Sequence, residues 1–267
     1  MTTELKNLLE EIAYVAELVV KAGWGEATSG NISVNVTDIV DLTSGDIKLV
    51  SKGNTPFRDN KVLAGQTLLV SLSGSRMRNM AERPENNLCI MDFNKYSSFF
   101  DLYTLVPTTS SAIKPTSETP THLSVHESLL ENGNPAKVLF HIHMTEAIVL
   151  SHFEEFLDEQ KINHILWSML PEIAMFLPEG TGFIPYLEPG SKEIGKETAK
   201  KFRNHNTVTW EKHGCLAIGK STQDAFDKLE MLAKAIRIYL ECRKAGIRPK
   251  GLSKQNIDIL RNQSGNP

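Results

Sequence analysis

Leu5, Leu8, Leu9, Ile12, Val15, Ala16, Val19 and Val20 recur at three- and four-residue intervals, the spacing of one helical face. The pattern predicts a helix over residues 3–22 that stops near Gly23. Ile32, Val34 and Val36 alternate with polar residues, which is the two-residue period of a strand. Residues 37–66 carry many turn formers and weak periodicity, and read as short strands and loop. Residues 67–72, 88–93 and 97–103 read as strands. Pro120 suits the first turn of a helix, where its missing N–H costs little, and Leu123, Leu129 and Leu130 continue that helix. Further on, 137–143 reads as a strand, 145–153 and 161–169 as helices, 172–176 as extended and 191–205 as a helix. Residues 207–213 and 215–218 look like paired strands around His213-Gly214. Ser221 with Asp224 marks the start of a long helix that ends near Gly246. The tail after Asn262 is expected to fray.

Strands and helices interleave, yet several strands follow one another through short turns. This predicts an α/β fold with a mixed, largely antiparallel sheet covered by helices. No composition shift, linker or repeat divides the 267 residues, so residues 1–267 are expected to form one domain. Hydrophobic residues make up 40% and charged residues 23%, which is ordinary for a globular chain. The net charge of −3 gives no basic field for nucleic acid. Cys89, Cys215 and Cys242 are scattered and odd in number, so a reducing compartment without structural disulfides is expected. Charges punctuate the first residues and no apolar run of about 18 residues exists. The expectation is a cytoplasmic protein with no leader and no membrane span.

The sharpest chemical feature is His141-Ile142-His143. On a strand, residues i and i+2 share a face, so two imidazoles converge as two ligands of one metal would. Two adjacent buried imidazoles without a metal would be costly. A further distant histidine would complete the three-His pattern of an open catalytic zinc site. His213 is the candidate, at a strand end beside the small Gly214. Spacing alone leaves His122, His126, His152, His164 and His205 open.

Glu118 lies at a helix start. A carboxylate there is common and mildly stabilising, and Thr116-Ser117 can simply cap the helix. The functional alternative is a proton shuttle beside a phosphate contact. Ser29-Gly30-Asn31 and Ser73-Gly74-Ser75 could turn backbone N–H groups towards an anion, although each alone is also an ordinary turn. Neither matches a Walker A or dinucleotide fingerprint.

Taken together, the order Gly30-Asn31, Ser73-Gly74, Thr116-Ser117-Glu118, His141-x-His143 and His213-Gly214 resembles the class II aldolase/adducin family. Supporting stretches run from Lys21-Ala22-Gly23-Trp24 through Pro189-Gly190-Ser191-x-Glu193-Ile194-Gly195 to Trp210-x-x-His213-Gly214. The resemblance implies that His141, His143 and His213 bind Zn²⁺, one per subunit, and that Glu118 is the acid/base. It implies that Gly30, Asn31, Ser73, Gly74, Thr116 and Ser117 hold the phosphate of a sugar phosphate. Glu172 resembles a second carboxylate that reaches a neighbouring subunit's site in a homotetramer. Thr28 and Ser75 depart from the family's pattern. The rival readings are another enzyme of the same family, a non-catalytic adducin-like interaction module, and an unrelated three-His hydratase or hydrolase.

Overall fold

Helix α1 (Thr3–Ala22) begins where the Thr2 hydroxyl accepts the Leu5 N–H, and ends at Gly23, which turns left-handed. Its buried stripe of Leu5, Leu9, Ile12, Val15, Ala16 and Val19 follows the predicted face, from which Leu8 is only half-buried and Val20 is exposed. The computed structural model describes residues 1–54, 62–93, 99–106 and 113–263. After α1 come β1 (Asn31–Asn35), β2 (Lys48–Asn54), β3 (Thr67–Ser71), α2 (Met77–Glu82), β4 (Leu88–Phe93) and β5 (Phe99–Thr104). Next are α3 (Thr119–Glu131), β6 (Val138–Ile142), α4 (Thr145–Leu150), α5 (Glu159–Met169), α6 (Pro171–Phe176) and β7 (Thr181–Ile184). The chain closes with α7 (Lys192–Lys201), β8 (Thr207–Trp210), β9 (Gly214–Gly219), α8 (Thr222–Lys244) and α9 (Lys254–Gln263).

The described strands form one sheet in the order β2-β5-β4-β3-β1-β6-β9-β8-β7. Every pairing is antiparallel except β7 with β8. The chain is therefore a single-domain α/β protein with a mixed, largely antiparallel sheet, as its pattern predicts.

Alternation along the strands divides the core into layers. Ile32, Val34, Val138, Phe140 and Ile142 pack with α1 and α8. Leu139, Leu216, Ile218, Val208 and Trp210 point the other way, against Val125 and Leu129 of α3 and Ile194, Ala199 and Phe202 around α7. Both sheet faces are covered, so β1 is buried at Asn31–Val34 instead of alternating in and out. One consequence matters for function. Asn31, Ser33 and His141 lie on the α3 side of the sheet, where polar groups must find partners within the protein.

One expectation needs correction, and some elements were not marked by the pattern. Residues 172–176 are helical, within α6, because Pro171 occupies the first turn after an extended Leu170 and Ile173, Ala174 and Leu177 bury one short face. Six residues are too few for periodicity to reveal this. Helix α9, where the pattern marked no element, runs to Gln263, buries Ile257, and stacks the Arg261 guanidinium 3.9 Å from the Trp167 ring centroid. Helix α2 and strand β7 are further elements that the pattern did not mark. The predicted 97–103 strand is observed from Phe99, while residues 97–98 lie outside the described residues, as do 55–61 of the 37–66 stretch and 264–267 of the tail.

Candidate active site

The site forms where β6 ends. His141 is fully buried on the strand and His143 follows just past it, on the same side, with ring centroids 5.3 Å apart. The third imidazole arrives from the β8–β9 turn. Lys212 is left-handed there (φ 58°), its N–H is pinned by the Ser151 hydroxyl at 2.8 Å, and the His213 N–H donates to the Trp210 carbonyl. Gly214 makes this arrival possible, because a Cβ at that position would lie 2.3 Å from the Ile142 carbonyl oxygen. His213 thus sits 5.0 Å, centroid to centroid, from both His141 and His143. The Trp210 ring packs at 4.9 Å from His141 and 5.0 Å from His213, and its own N–H is held by Thr198.

Each ring can offer one ligand nitrogen, and the three nitrogens lie within 4.8 Å of one another. Second partners fix two of the rings. His141 donates Nδ1–H to the Cys215 carbonyl at 3.1 Å, and His143 Nδ1 meets the Glu26 carboxylate at 2.8 Å. Such outer contacts leave the other nitrogen's lone pair facing inward, as metal-binding histidines require. His141 Nε2 and His213 Nδ1 are buried without a hydrogen-bond partner among the described residues. Burial lowers the pKa of His141 to about 3 and of His213 to about 4, so both rings are neutral and their lone pairs are available. A cation is the partner that this donor set fits.

Glu118 completes the cluster. Its Oε1 lies 3.7 Å from His141 Nε2 and 3.6 Å from His213 Nε2, while Asn31 donates to its Oε2 at 3.2 Å. Burial raises its pKa from the ordinary carboxylate value, against the lowering pull of the Asn31 hydrogen bond. A carboxyl shifted in this direction holds a proton more readily than an exposed one, which suits a proton carrier. As the N-terminal boundary residue of α3, Glu118 makes no side-chain cap of its own, while its N–H donates to the Thr116 hydroxyl at 3.3 Å.

The phosphate candidates gather around the same cleft, of about 540 Å³, which is lined by residues 26–31, 72–75 and 116–118 together with His143 and His213. Gly30, Asn31, Ser73, Gly74, Thr116 and Ser117 all face it. Two backbone bonds tie these segments together: the Ser73 N–H to the Lys114 carbonyl and the Thr116 N–H to the Ser71 carbonyl. Hydroxyls and turned backbone thus share one cleft with imidazoles and a carboxyl, groups of the kind that bind anions and metal ions. Glu172 is not part of the cleft. It is exposed in the first turn of α6.

Sequence reasoning missed several supports. Glu26 orients His143. Trp24 donates its ring N–H to Glu146 at 2.9 Å, and Arg237 also pairs with Glu146. The Trp24 carbonyl in turn accepts the His143 N–H at 3.1 Å. The only available signal was the general need of a ligand histidine for a second partner, which does not choose among carboxylates.

The profile of the family described as Class II Aldolase and Adducin N-terminal domain matches residues 10–240. The chain belongs to this family of metal-dependent lyases. Among curated relatives, a rhamnulose-1-phosphate aldolase of Bacteroides thetaiotaomicron is 34% identical, over 95% of this chain and 92% of that protein. A second rhamnulose-1-phosphate aldolase, from Listeria monocytogenes, is 29% identical over 99% of this chain and 96% of its own length. A solved sugar-phosphate aldolase from Thermotoga maritima superposes with a TM-score of 0.78 at 30% identity, over 93% of this chain and all of its own.

Proposed function

We propose that the chain catalyses reversible cleavage of L-rhamnulose 1-phosphate to dihydroxyacetone phosphate and L-lactaldehyde, with one Zn²⁺ per subunit. The reading is supported by relatives of that name aligned along nearly the whole chain. The observation that carries the chemistry is the contact of Glu118 with two rings of the three-imidazole cluster in a cleft that hydroxyl and glycine loops also line.

Breaking the C3–C4 bond leaves an electron pair at C3, which needs stabilisation. His141, His143 and His213 would hold the zinc, which when bound would supply Lewis-acid stabilisation of that electron pair. Glu118 delivers a proton to C3 in the cleavage direction and removes it in the reverse. Gly30, Asn31, Ser73, Gly74, Thr116 and Ser117 hold the phosphate, and this remote grip orients the reacting carbons. Glu172 from a neighbouring subunit takes the proton of the C4 hydroxyl, within a homotetramer. Among the described residues no lysine lines the cleft, which favours this chemistry over imine formation. The compartment is the cytoplasm. Among the described residues, no helix is long and apolar enough to cross a membrane.

Cleavage rates on rhamnulose, fuculose and ribulose phosphates test the assignment. The expected order puts L-rhamnulose 1-phosphate first by a wide margin. Preference for L-fuculose 1-phosphate, or epimerisation of ribulose phosphate without cleavage, would assign the chain to another activity of the family. No turnover of any of them by the metal-loaded protein would favour an adducin-like interaction role.

A further inference from the structure

Behind Glu118 a buried chain of polar side chains leads from Asn31, which lines the cleft, to His122, Ser33 and His126, which do not. Asn31 Nδ2 donates to Glu118 Oε2 at 3.2 Å, and Asn31 Oδ1 meets His122 Nε2 at 2.5 Å. His122 Nδ1 meets the Ser33 hydroxyl at 2.6 Å, and Ser33 meets His126 Nε2 at 2.8 Å. His122, His126 and Ser33 are at most 1% exposed. The elements explain the assembly. Asn31 and Ser33 are two apart on β1 and face α3, while Glu118, His122 and His126 recur every four residues along α3.

The directions of these bonds follow from donor and acceptor chemistry. The amide oxygen of Asn31 can only accept, so His122 Nε2 carries the hydrogen. Burial holds the His122 pKa well below its usual value and that of His126 at about 4, so both rings are neutral. The Nδ1 of a neutral His122 with hydrogen on Nε2 can only accept, so the Ser33 hydroxyl donates to it. Ser33 oxygen then accepts from His126 Nε2–H. All four bonds run one way, from His126 through Ser33, His122 and Asn31 to Glu118.

We propose that His122 and His126, joined through Ser33, are positioning residues. Their one-directional relay locks the Asn31 amide, engages Glu118 Oε2, and leaves Glu118 Oε1 as the oxygen that exchanges protons with substrate. A free Asn31 amide could rotate its oxygen towards the carboxylate and push it out of register. The relay prevents this, because His122 offers only a donor to Asn31. A core of similar volume could be built from apolar residues without the cost of satisfying two buried imidazoles, so the sequence spends polar groups here on orientation. The proposal rests on Glu118 being the proton carrier.

Two substitutions at one position separate orientation from packing. Asn at position 122 retains a polar group near Nδ1 but removes the donor to Asn31, whereas Gln places an amide N–H near the lost Nε2. With the metal-loaded enzyme and its sugar phosphate, His122→Asn is expected to lower kcat about tenfold to a hundredfold, as loss of an outer orienting partner typically does, with KM little changed. His122→Gln is expected to recover most of the loss. Metal content should match the wild type in both. Nitrogen NMR of His122 in the wild-type enzyme needs no substitution and should show a neutral ring with hydrogen on Nε2 and a bare Nδ1. Hydrogen on Nδ1, a normal kcat for His122→Asn, or Gln no better than Asn would each overturn the relay. Glu118→Gln is the control: if it retains full turnover the proton-carrier reading itself falls, whereas an inactive Glu118→Gln beside a normal His122→Asn removes the relay alone.

Discussion

At the scale of single residues, Glu118 has surroundings that its sequence position only hinted at. A carboxylate beside a helix start is ordinary, but this one is buried, lacks a capping bond and touches two imidazoles. Glu118→Gln preserves its size and the Asn31 contact while removing the transferable proton. The three imidazoles remain, so bound zinc should be unchanged, while steady-state cleavage should fall by about a hundredfold or more. Near-normal turnover with full zinc would remove Glu118 from the chemistry. His126 has a different kind of consequence. Burial lowers its pKa to about 4, so between about 6.5, where the unfolded chain takes up a proton, and about 4 the native ring stays neutral. The unfolded state binds more protons throughout that window, so stability declines as the pH falls. Denaturant titrations of wild type and His126→Gln should show the wild type losing up to about 1.4 kcal/mol per pH unit relative to the variant over that window. Parallel pH profiles for the two proteins would mean that His126 does not titrate on unfolding in this way.

At the scale of elements, the sequence was most legible where a face repeats over many residues and least where an element is short. Helix α1 and the Ser221-capped α8 follow their apolar spacing and cap chemistry closely. Helix α6 was misread because six residues hold less than two turns, and Ile173 beside Phe176 looks like strand content until Pro171 is read as a first-turn residue. The convergence of His141 and His143 was legible for a simple reason, since extended backbone fixes where residues i and i+2 point. Choosing His213 over the other histidines required the register between β6 and β9 and the turn that begins β9. The structure sends His122 and His126 into the relay and pairs His205 with Glu159 at 3.4 Å. That turn is open to test through Gly214→Ala. The added methyl would meet the Ile142 carbonyl at 2.3 Å, so β9 must shift and carry His213 with it. The expected result is loss of metal retention together with a lowered melting temperature. Unchanged zinc content would show that His213 does not depend on this close approach.

At the scale of the whole molecule, one sheet with helices on both faces brings five separated segments to a single cleft: the 26–31 loop, the 72–75 turn, the 116–118 helix start, the β6 end and the β8–β9 turn. Nothing in local pattern announces this convergence, because it depends on antiparallel neighbours β3-β1-β6-β9 lying side by side. Glu172 stands apart on α6 with the exposed Met175 and Phe176 nearby, so its proposed part in catalysis requires a second subunit. Mass measurement in solution is expected to give a tetramer, and Glu172→Gln should lower turnover without changing zinc content. A fully active monomer would end that role.

The most direct test of the account joins metal content to cleavage in one sample. The purified protein should carry about one zinc per chain, as a single three-imidazole site implies. Removing it with a chelator should abolish cleavage of L-rhamnulose 1-phosphate while leaving the fold largely intact, and adding zinc back should restore the rate. Full cleavage activity in protein shown to be free of metal would contradict the account at its centre.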